Sequence, residues 1–290
     1  MRRAAIGTAG WTRTAMRDRI AGFARSRHTW LCAVLLAGVA LVTWDVLSYG
    51  PLTRLDWATH LYVEKHVRGA WWWLCYAGSL MGNEWVLYVP LGLTSLVAAA
   101  WHRSLRPLAV TAGVCIWLVL FIPLFKIEVG RSWPRSGVDL MFYPGGSEFP
   151  SGHDVNAIVI WGLFLELLAS SSRRAARWLP VRTRRWLVVA ATVAAGLGMV
   201  GLDYHWLSDV LAGWMLGAVI FIAILALDLL RPLREETATG GRPAPAGGAR
   251  RWLPAVRRDR RPGPAAAGGG PLDASQAPPA GTARSMPEGT

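Results

Sequence analysis

Six stretches of this chain are apolar over lengths that suit a bilayer, and nothing else in the sequence restricts its fold so strongly. They are residues 30–49, 85–101, 108–125, 153–170, 185–203 and 206–230, close to the roughly 20 apolar residues that a membrane helix needs. In lipid the backbone must satisfy its own hydrogen bonds, so isolated apolar runs of this length can only be helices. The expected fold is all-α: a polytopic membrane helix bundle with about six transmembrane helices. Composition agrees, because 53% of the 290 residues are hydrophobic and 17 are tryptophan, more apolar surface than one soluble core hides.

Two shorter segments need separate readings. Residues 70–82, AWWWLCYAGSLMG, are apolar but short and are interrupted by Gly82-Asn83-Glu84. They read either as part of a long second helix or as an interfacial lead-in whose tryptophans match an aromatic belt. Residues 51–69, with Asp56, His60, Glu64, Lys65 and Arg68, read as an amphipathic surface helix. The first apolar run follows arginines, as a signal peptide does, yet it exceeds a typical h-region and lacks an A-x-A site, so a retained anchor is expected. Cys32, Cys75 and Cys115 are scattered through apolar segments and suggest packing, not a disulfide framework or a zinc site.

The formal charge is +13 at pH 7, but the arginines fall in blocks between apolar runs. That pattern suits a membrane surface, and no nucleic-acid partner is expected. Arg2, Arg3, Arg13, Arg17, Arg19, Arg25 and Arg27 precede the first span; Arg103 and Arg106 follow the second; Arg173, Arg174, Arg177, Arg182 and Arg184 follow the fourth. In a six-span topology all three blocks share one side, which the positive-inside rule makes cytoplasmic. The chain then divides into a basic cytoplasmic segment 1–28, a membrane domain 29–231, and a tail 232–290 rich in Pro, Gly, Ala and Arg. The tail is expected to be disordered and cytoplasmic, with Arg250, Arg251, Arg257, Arg258, Arg260 and Arg261 able to rest on anionic lipid. Loops 126–152 and 203–206 fall outside a plasma membrane.

Three polar clusters converge on that outer face. KIEVGRSWPR, residues 126–135, gathers Lys126, Arg131 and Arg135. FPSGHDVNAIVIWG, residues 149–162, places Ser151, Gly152 and His153 at the mouth of the fourth span, where unpaired amides and the positive end of the helix dipole suit an anion such as phosphate. GLDYHWLSDVLAGW, residues 201–214, sets His205 and Asp209 four apart, so that on a helix the carboxylate can hold the imidazole in one tautomer. Two histidines flanking one phosphate can divide the work, one attacking phosphorus and one protonating the leaving oxygen.

The order of Lys with Gly-Arg and Pro, then Pro-Ser-Gly-His, then His-x-x-x-Asp resembles the type 2 phosphatidic acid phosphatase (PAP2) superfamily of integral membrane lipid phosphatases. The resemblance spans about residues 50–230, with its motifs inside 126–209. It implies a PAP2-like fold in which residues 29–231 form a transmembrane phosphatase domain. It makes His205 the nucleophile of a phosphohistidine intermediate, Asp209 its orienting partner, and His153 the acid for the leaving alkoxide and then the base for water. Lys126, Ser151 and the amide of Gly152 would cradle the phosphoryl oxygens, with no metal and no cofactor.

Two positions depart from the family pattern. Trp133 stands where the first motif has Arg before Pro, and Gly198-Met199 stand where the third has Ser-Arg. Arg131 or Arg135 can replace the first clamp, Arg131 being favoured by its Gly-Arg context, while Trp133 is free to lie against an acyl or isoprenyl chain. Plainer roles are expected elsewhere: Asp154 completes a capping box with Ser151, Glu166 makes a helix–helix hydrogen bond, and Asp45 is interfacial. His28, His60, His66 and His102 are solvated, and Asp139 and Glu148 receive no role. The reading is a phosphatase of lipid phosphate or polyprenyl pyrophosphate at the extracytoplasmic face of the membrane. A lipid-linked phospho- or head-group transferase of the same fold, or a decayed lipid-binding protein, stands as the alternative. The particular lipid and the oligomeric state are left open.

Overall fold

Every regular element among the described residues, 27–230 and Leu233 of a computed structural model, is helical. In chain order these are α1 (Arg27–Leu47), α2 (Pro51–His66), α3 (Ala70–Ser79), α4 (Glu84–His102), α5 (Arg106–Val129), a 3-10 turn (Pro134–Ser136), α6 (Gly152–Ser171), α7 (Arg173–Trp178), α8 (Val181–Gly201) and α9 (Leu207–Ala226). Six of them, α1, α4, α5, α6, α8 and α9, are long and apolar enough to cross a membrane. The expected all-α, six-span bundle is therefore the observed one. The segment 1–28 and the tail 232–290 lie almost wholly outside the described residues.

Lipid tails are as apolar as leucine, so hydropathy alone cannot say which face of a membrane helix is inside; close packing and polar contacts decide it. Here α6 is the hub. Its spanning window is 67% buried, against 17–28% for the other five, and it packs on α4, α8 and α9 while α1 lies on α9. Val155, Val159, Leu163 and Leu167 of α6 meet Leu87 and Leu91 of α4 and Leu118 and Ile122 of α5 in the main core. Two polar ties fasten the far end of α6. Glu166 accepts a salt bridge from Arg184 of α8 at 2.9 Å, and His102 Nε2 donates to the carbonyl of Ser170 at 3.0 Å.

The segment 70–82 is not the front of a long second helix. Asn83 caps α4, its Oδ1 accepting from the amides of Trp85 at 3.1 Å and Val86 at 3.3 Å, and a cap of this kind starts a helix afresh. The preceding α3 packs on α8. Their backbones approach so closely that a Cβ at Gly198 would sit 2.4 Å from the Ser79 amide nitrogen and 2.5 Å from the Cys75 carbonyl. The sixth span is also shorter than expected, since Asp228 takes φ +47° and breaks the helix beyond Ala226.

The reading of residues 51–69 as a plain amphipathic surface helix needs correction. Helix α2 turns Leu55, Leu61 and Tyr62 outward and buries Asp56 to 1% exposure. Asp45 is not merely interfacial: its Oδ1 accepts from the Leu52 and Thr53 amides at 2.9 and 3.2 Å and so caps α2. The three cysteines are unbridged, as expected.

The packing of α3 on α8 makes a direct prediction. Gly198→Ala should lower the thermal stability of the detergent-solubilised protein by about 1–3 kcal/mol, the usual cost of overpacking against atoms that cannot move aside. Leu197→Ala, at a side chain 61% exposed, should leave the melting temperature close to wild type.

Candidate active site

The site lies where α5 ends, α6 begins, and residues 202–206 join α8 to α9. Ser151 is the N-cap of α6. Its Oγ accepts from the Asp154 amide at 3.4 Å and its carbonyl from the Val155 amide at 3.3 Å, while the amides of Gly152 and His153 stand outside the helical ladder, as those of a first turn do. The Ser151 amide donates to the Asp209 carbonyl at 3.0 Å, which ties the mouth of α6 to the first turn of α9. Lys126, in the last turn of α5, brings its Nζ to 3.8 Å from the point a Cβ would occupy at Gly152.

His153 and His205 face each other across this mouth with ring centroids 6.3 Å apart and planes at 64°. His205 is 4% exposed and its amide is 3.4 Å from the carbonyl of Met199. Its Nδ1 is 3.5 Å from Asp209 Oδ2 and 3.1 Å from Glu148 Oε2, without full hydrogen-bond alignment to either. In the neutral ring, two carboxylates on that side favour the tautomer with the proton on Nδ1 and the lone pair on Nε2. The Lys126 ammonium interacts electrostatically with His153 and with Glu148.

Behind this mouth is a cluster the sequence did not disclose. Arg131 is 0% exposed. Its Nε and Nη2 form a fork on the two oxygens of Asp139, both at 2.8 Å. Nη2 also donates to Asp56 Oδ2 at 2.8 Å, and Nη1 donates to Ser208 Oγ at 2.7 Å and Asp209 Oδ1 at 2.5 Å. A guanidinium has five N–H donors, and these five contacts account for them. The guanidinium also sits 5.2 Å from the Trp206 ring centroid. Burial pushes the Asp56 carboxyl above its ordinary pKa, opposed by the Arg131 charge and by hydrogen bonds from Ser208.

Of the expected phosphate-binding residues, Lys126, Ser151 and Gly152 come together with His153, His205 and Asp209. Arg131 does not: with its donors committed to carboxylates and Ser208, it buttresses Asp209 instead of facing a ligand. Arg135 is directed elsewhere as well. It donates to the Leu202 carbonyl, stacks over Tyr204 at 4.9 Å and approaches Asp203 at 3.9 Å. Asp154 is also no capping-box partner. Its carboxylate is fully buried and its Oδ1 accepts from Trp214 Nε1 at 2.6 Å, so only the Ser151 half of that motif forms.

Asp139 and Glu148, left without a role in the sequence, belong to the site: one anchors Arg131 and the other touches His205. Asp56 and Ser208 were missed too. Ser208 sat inside a motif as an unassigned letter. Asp56 lies 75 residues from Arg131, and no local pattern signals a contact that distant.

Comparison with known proteins finds similarity to membrane phosphatases. Residues 96–231 match the PAP2 superfamily. The matched segment is a little under half of the 290-residue chain. Phosphatidylglycerophosphatase B of Bacillus subtilis (strain 168) is 24% identical over 169 residues, covering 52% of this chain and 80% of that protein. The crystal structure described as the first transmembrane PAP2 type phosphatidylglycerolphosphate phosphatase from Bacillus subtilis shares the fold, with a TM-score of 0.56 at 18% identity over 69% of this chain and 96% of that one. The PAP2 match starts at residue 96 and leaves α1, α2 and α3 outside it, so the Asp56 contacts come from beyond the matched segment.

Arg131, with its donors spent on buried carboxylates and Ser208, is a structural charge. Arg131→Met would leave Asp56, Asp139 and Asp209 buried without a cation, and removing one partner of a buried ion pair typically costs about 3–5 kcal/mol. Thermal unfolding in detergent should register that loss, whereas Arg135→Met, at a side chain 43% exposed, should change stability by less than about 1 kcal/mol.

Proposed function

We propose that this membrane protein is a metal-independent lipid phosphate phosphatase that works through a phosphohistidine. The observation that carries the reading is the meeting of two imidazoles from different helices, 6.3 Å apart, over the N-terminus of α6 and beside Lys126. A single phosphoryl group would lie between them. Its oxygens would be met by the Lys126 ammonium, the Ser151 hydroxyl and the Gly152 amide, donors already held in place before the reaction.

The chemistry follows from the side on which each nitrogen stands. His205 Nε2 attacks phosphorus, the bond from phosphorus to the ester oxygen breaks, and His153 gives its proton to the departing alkoxide. Asp209 and Glu148 stabilise the positive charge that His205 acquires. Water then attacks the phosphohistidine, His153 takes a proton from it, the phosphorus–nitrogen bond breaks, and inorganic phosphate leaves. His205 thereby returns to its starting tautomer.

Topology supports an extracytoplasmic site. The site occupies the C-terminal ends of α5 and α8 and the N-terminal ends of α6 and α9, opposite the arginine-bearing loops that join α4 to α5 and α6 to α8. Positive-inside orientation puts those loops in the cytoplasm. A lipid head group would then enter from the outer leaflet, with its chains between the apolar faces of the helices. Phosphatidylglycerol phosphate is the first substrate to test, given the named activity of the curated relative; phosphatidate and polyprenyl pyrophosphate are the others.

Purified protein in detergent or vesicles should release inorganic phosphate from at least one of these three lipids, and His205→Ala should abolish the release. His153→Ala should lower kcat by roughly 100-fold or more, the usual contribution of a positioned acid–base group. Release equal in wild type and His205→Ala would end the proposal. Turnover should also survive EDTA; loss on chelation with recovery on adding a divalent metal would refute the metal-free scheme.

A further inference from the structure

Residues 202–206 carry the candidate nucleophile, and helix α2 holds this segment at both flanks. Asp56 and His60 lie four apart and so project from one face of α2. His60 Nδ1 donates to Asp203 Oδ1 at 2.8 Å, with both side chains 10% exposed. Asp56 Oδ1 accepts from the Ser208 amide at 2.9 Å, and Asp56 Oδ2 accepts from Ser208 Oγ. Between these two anchors, Trp206 packs edge-on against Trp57 at 5.2 Å and lies 5.8 Å from His60.

Each anchor answers a need of the segment it grips. The N-cap of α9 is Trp206, whose indole has no acceptor for the unpaired amides of the first turn. Asp209 reaches back to the Trp206 amide at 3.0 Å, and Asp56 supplies the remaining carboxylate from another helix, where the dipole favours negative charge. At the other flank Asp203 sits at φ +60°, a left-handed conformation that carries a steric cost for an L-residue and gains from outside support even in an aspartate. His60 gives that support.

From these contacts we infer that α2 is a positioning element of the active site: Asp56 and His60 clamp residues 203–208 and so fix the His205 imidazole against His153. The inference rests on the phosphatase reading for its kinetic consequence but not for the clamp itself. Asp56 and His60 spend their hydrogen bonds on Asp203, Ser208 and Arg131, so both act on His205 through the segment that they hold. Loss of the clamp should loosen the nucleophile without altering how the lipid binds.

Two measurements on the full chain test this. In phosphate-release kinetics, Asp56→Asn and His60→Leu should lower kcat by about 10- to 100-fold, the scale of a misplaced nucleophile, with KM within about twofold of wild type. His60→Asn, whose amide can donate from the Nδ1 position, should recover kcat to within about threefold. In hydrogen–deuterium exchange, peptides covering 203–208 should exchange about tenfold faster in His60→Leu than in wild type or His60→Asn, as for a locally released segment.

Wild-type kcat in His60→Leu, a rise in KM at unchanged kcat, or His60→Asn as impaired as His60→Leu would overturn the inference. Unchanged exchange across 203–208 would overturn it too. Should Asp56→Asn fail to fold, the two His60 variants carry the decision. If wild-type protein releases phosphate from none of the lipids, the phosphatase reading fails, and the exchange comparison still decides whether α2 clamps this segment.

Discussion

A guanidinium sealed from water inside a membrane bundle is tolerable only when acceptors surround it. Arg131 meets that condition by drawing on three separate pieces of chain: Asp56 from α2, Asp139 from its own 130–151 connection, and Ser208 and Asp209 from α9. The same charge that these carboxylates neutralise also neutralises them. Moving any one of these partners would strand the others.

The placement of the candidate nucleophile follows from it. Asp209 uses one oxygen for Arg131 and the other for the Trp206 amide, and that second oxygen is the one 3.5 Å from His205 Nδ1. The ammonium of Lys126 remains beside Gly152, so on the proposed reading the cationic work on a phosphoryl group would fall to this lysine and to helix-end amides. Such a site would hold a phosphate through orientation more than through summed charge. This arrangement also gives Trp133 and Met199 an ordinary standing. Trp133 is 46% exposed on the loop surface, and Met199 is buried in α8, where its carbonyl accepts from the Tyr204 amide at 3.0 Å.

What could be read from the sequence was whatever is local. Membrane helices announce themselves by length and hydropathy, and the Pro-Ser-Gly-His and His-x-x-x-Asp patterns lie within single turns, so the spans and the two imidazoles were legible. The Asn83 cap was legible in principle from Gly82-Asn83-Glu84. Arg131 was visible as a residue but not as a structural charge, since its partners in α2 and α9 are 75 to 78 positions away. Asp56 and His60 looked like the polar face of a surface helix. That face turns toward the protein here, because in a bundle surrounded by lipid the polar groups gain most by facing one another.

Whether His153 and His205 act on one phosphoryl group is the claim on which the account stands. The most direct test is rapid acid-free quenching of the protein with a phosphate-labelled lipid substrate, followed by mapping of acid-labile phosphate by mass spectrometry. The account predicts label on His205, absent from His205→Ala and longer-lived in His153→Ala, where water lacks its base. Turnover with label on another residue, or with no covalent phosphate at any time point in either wild type or His153→Ala, would contradict it.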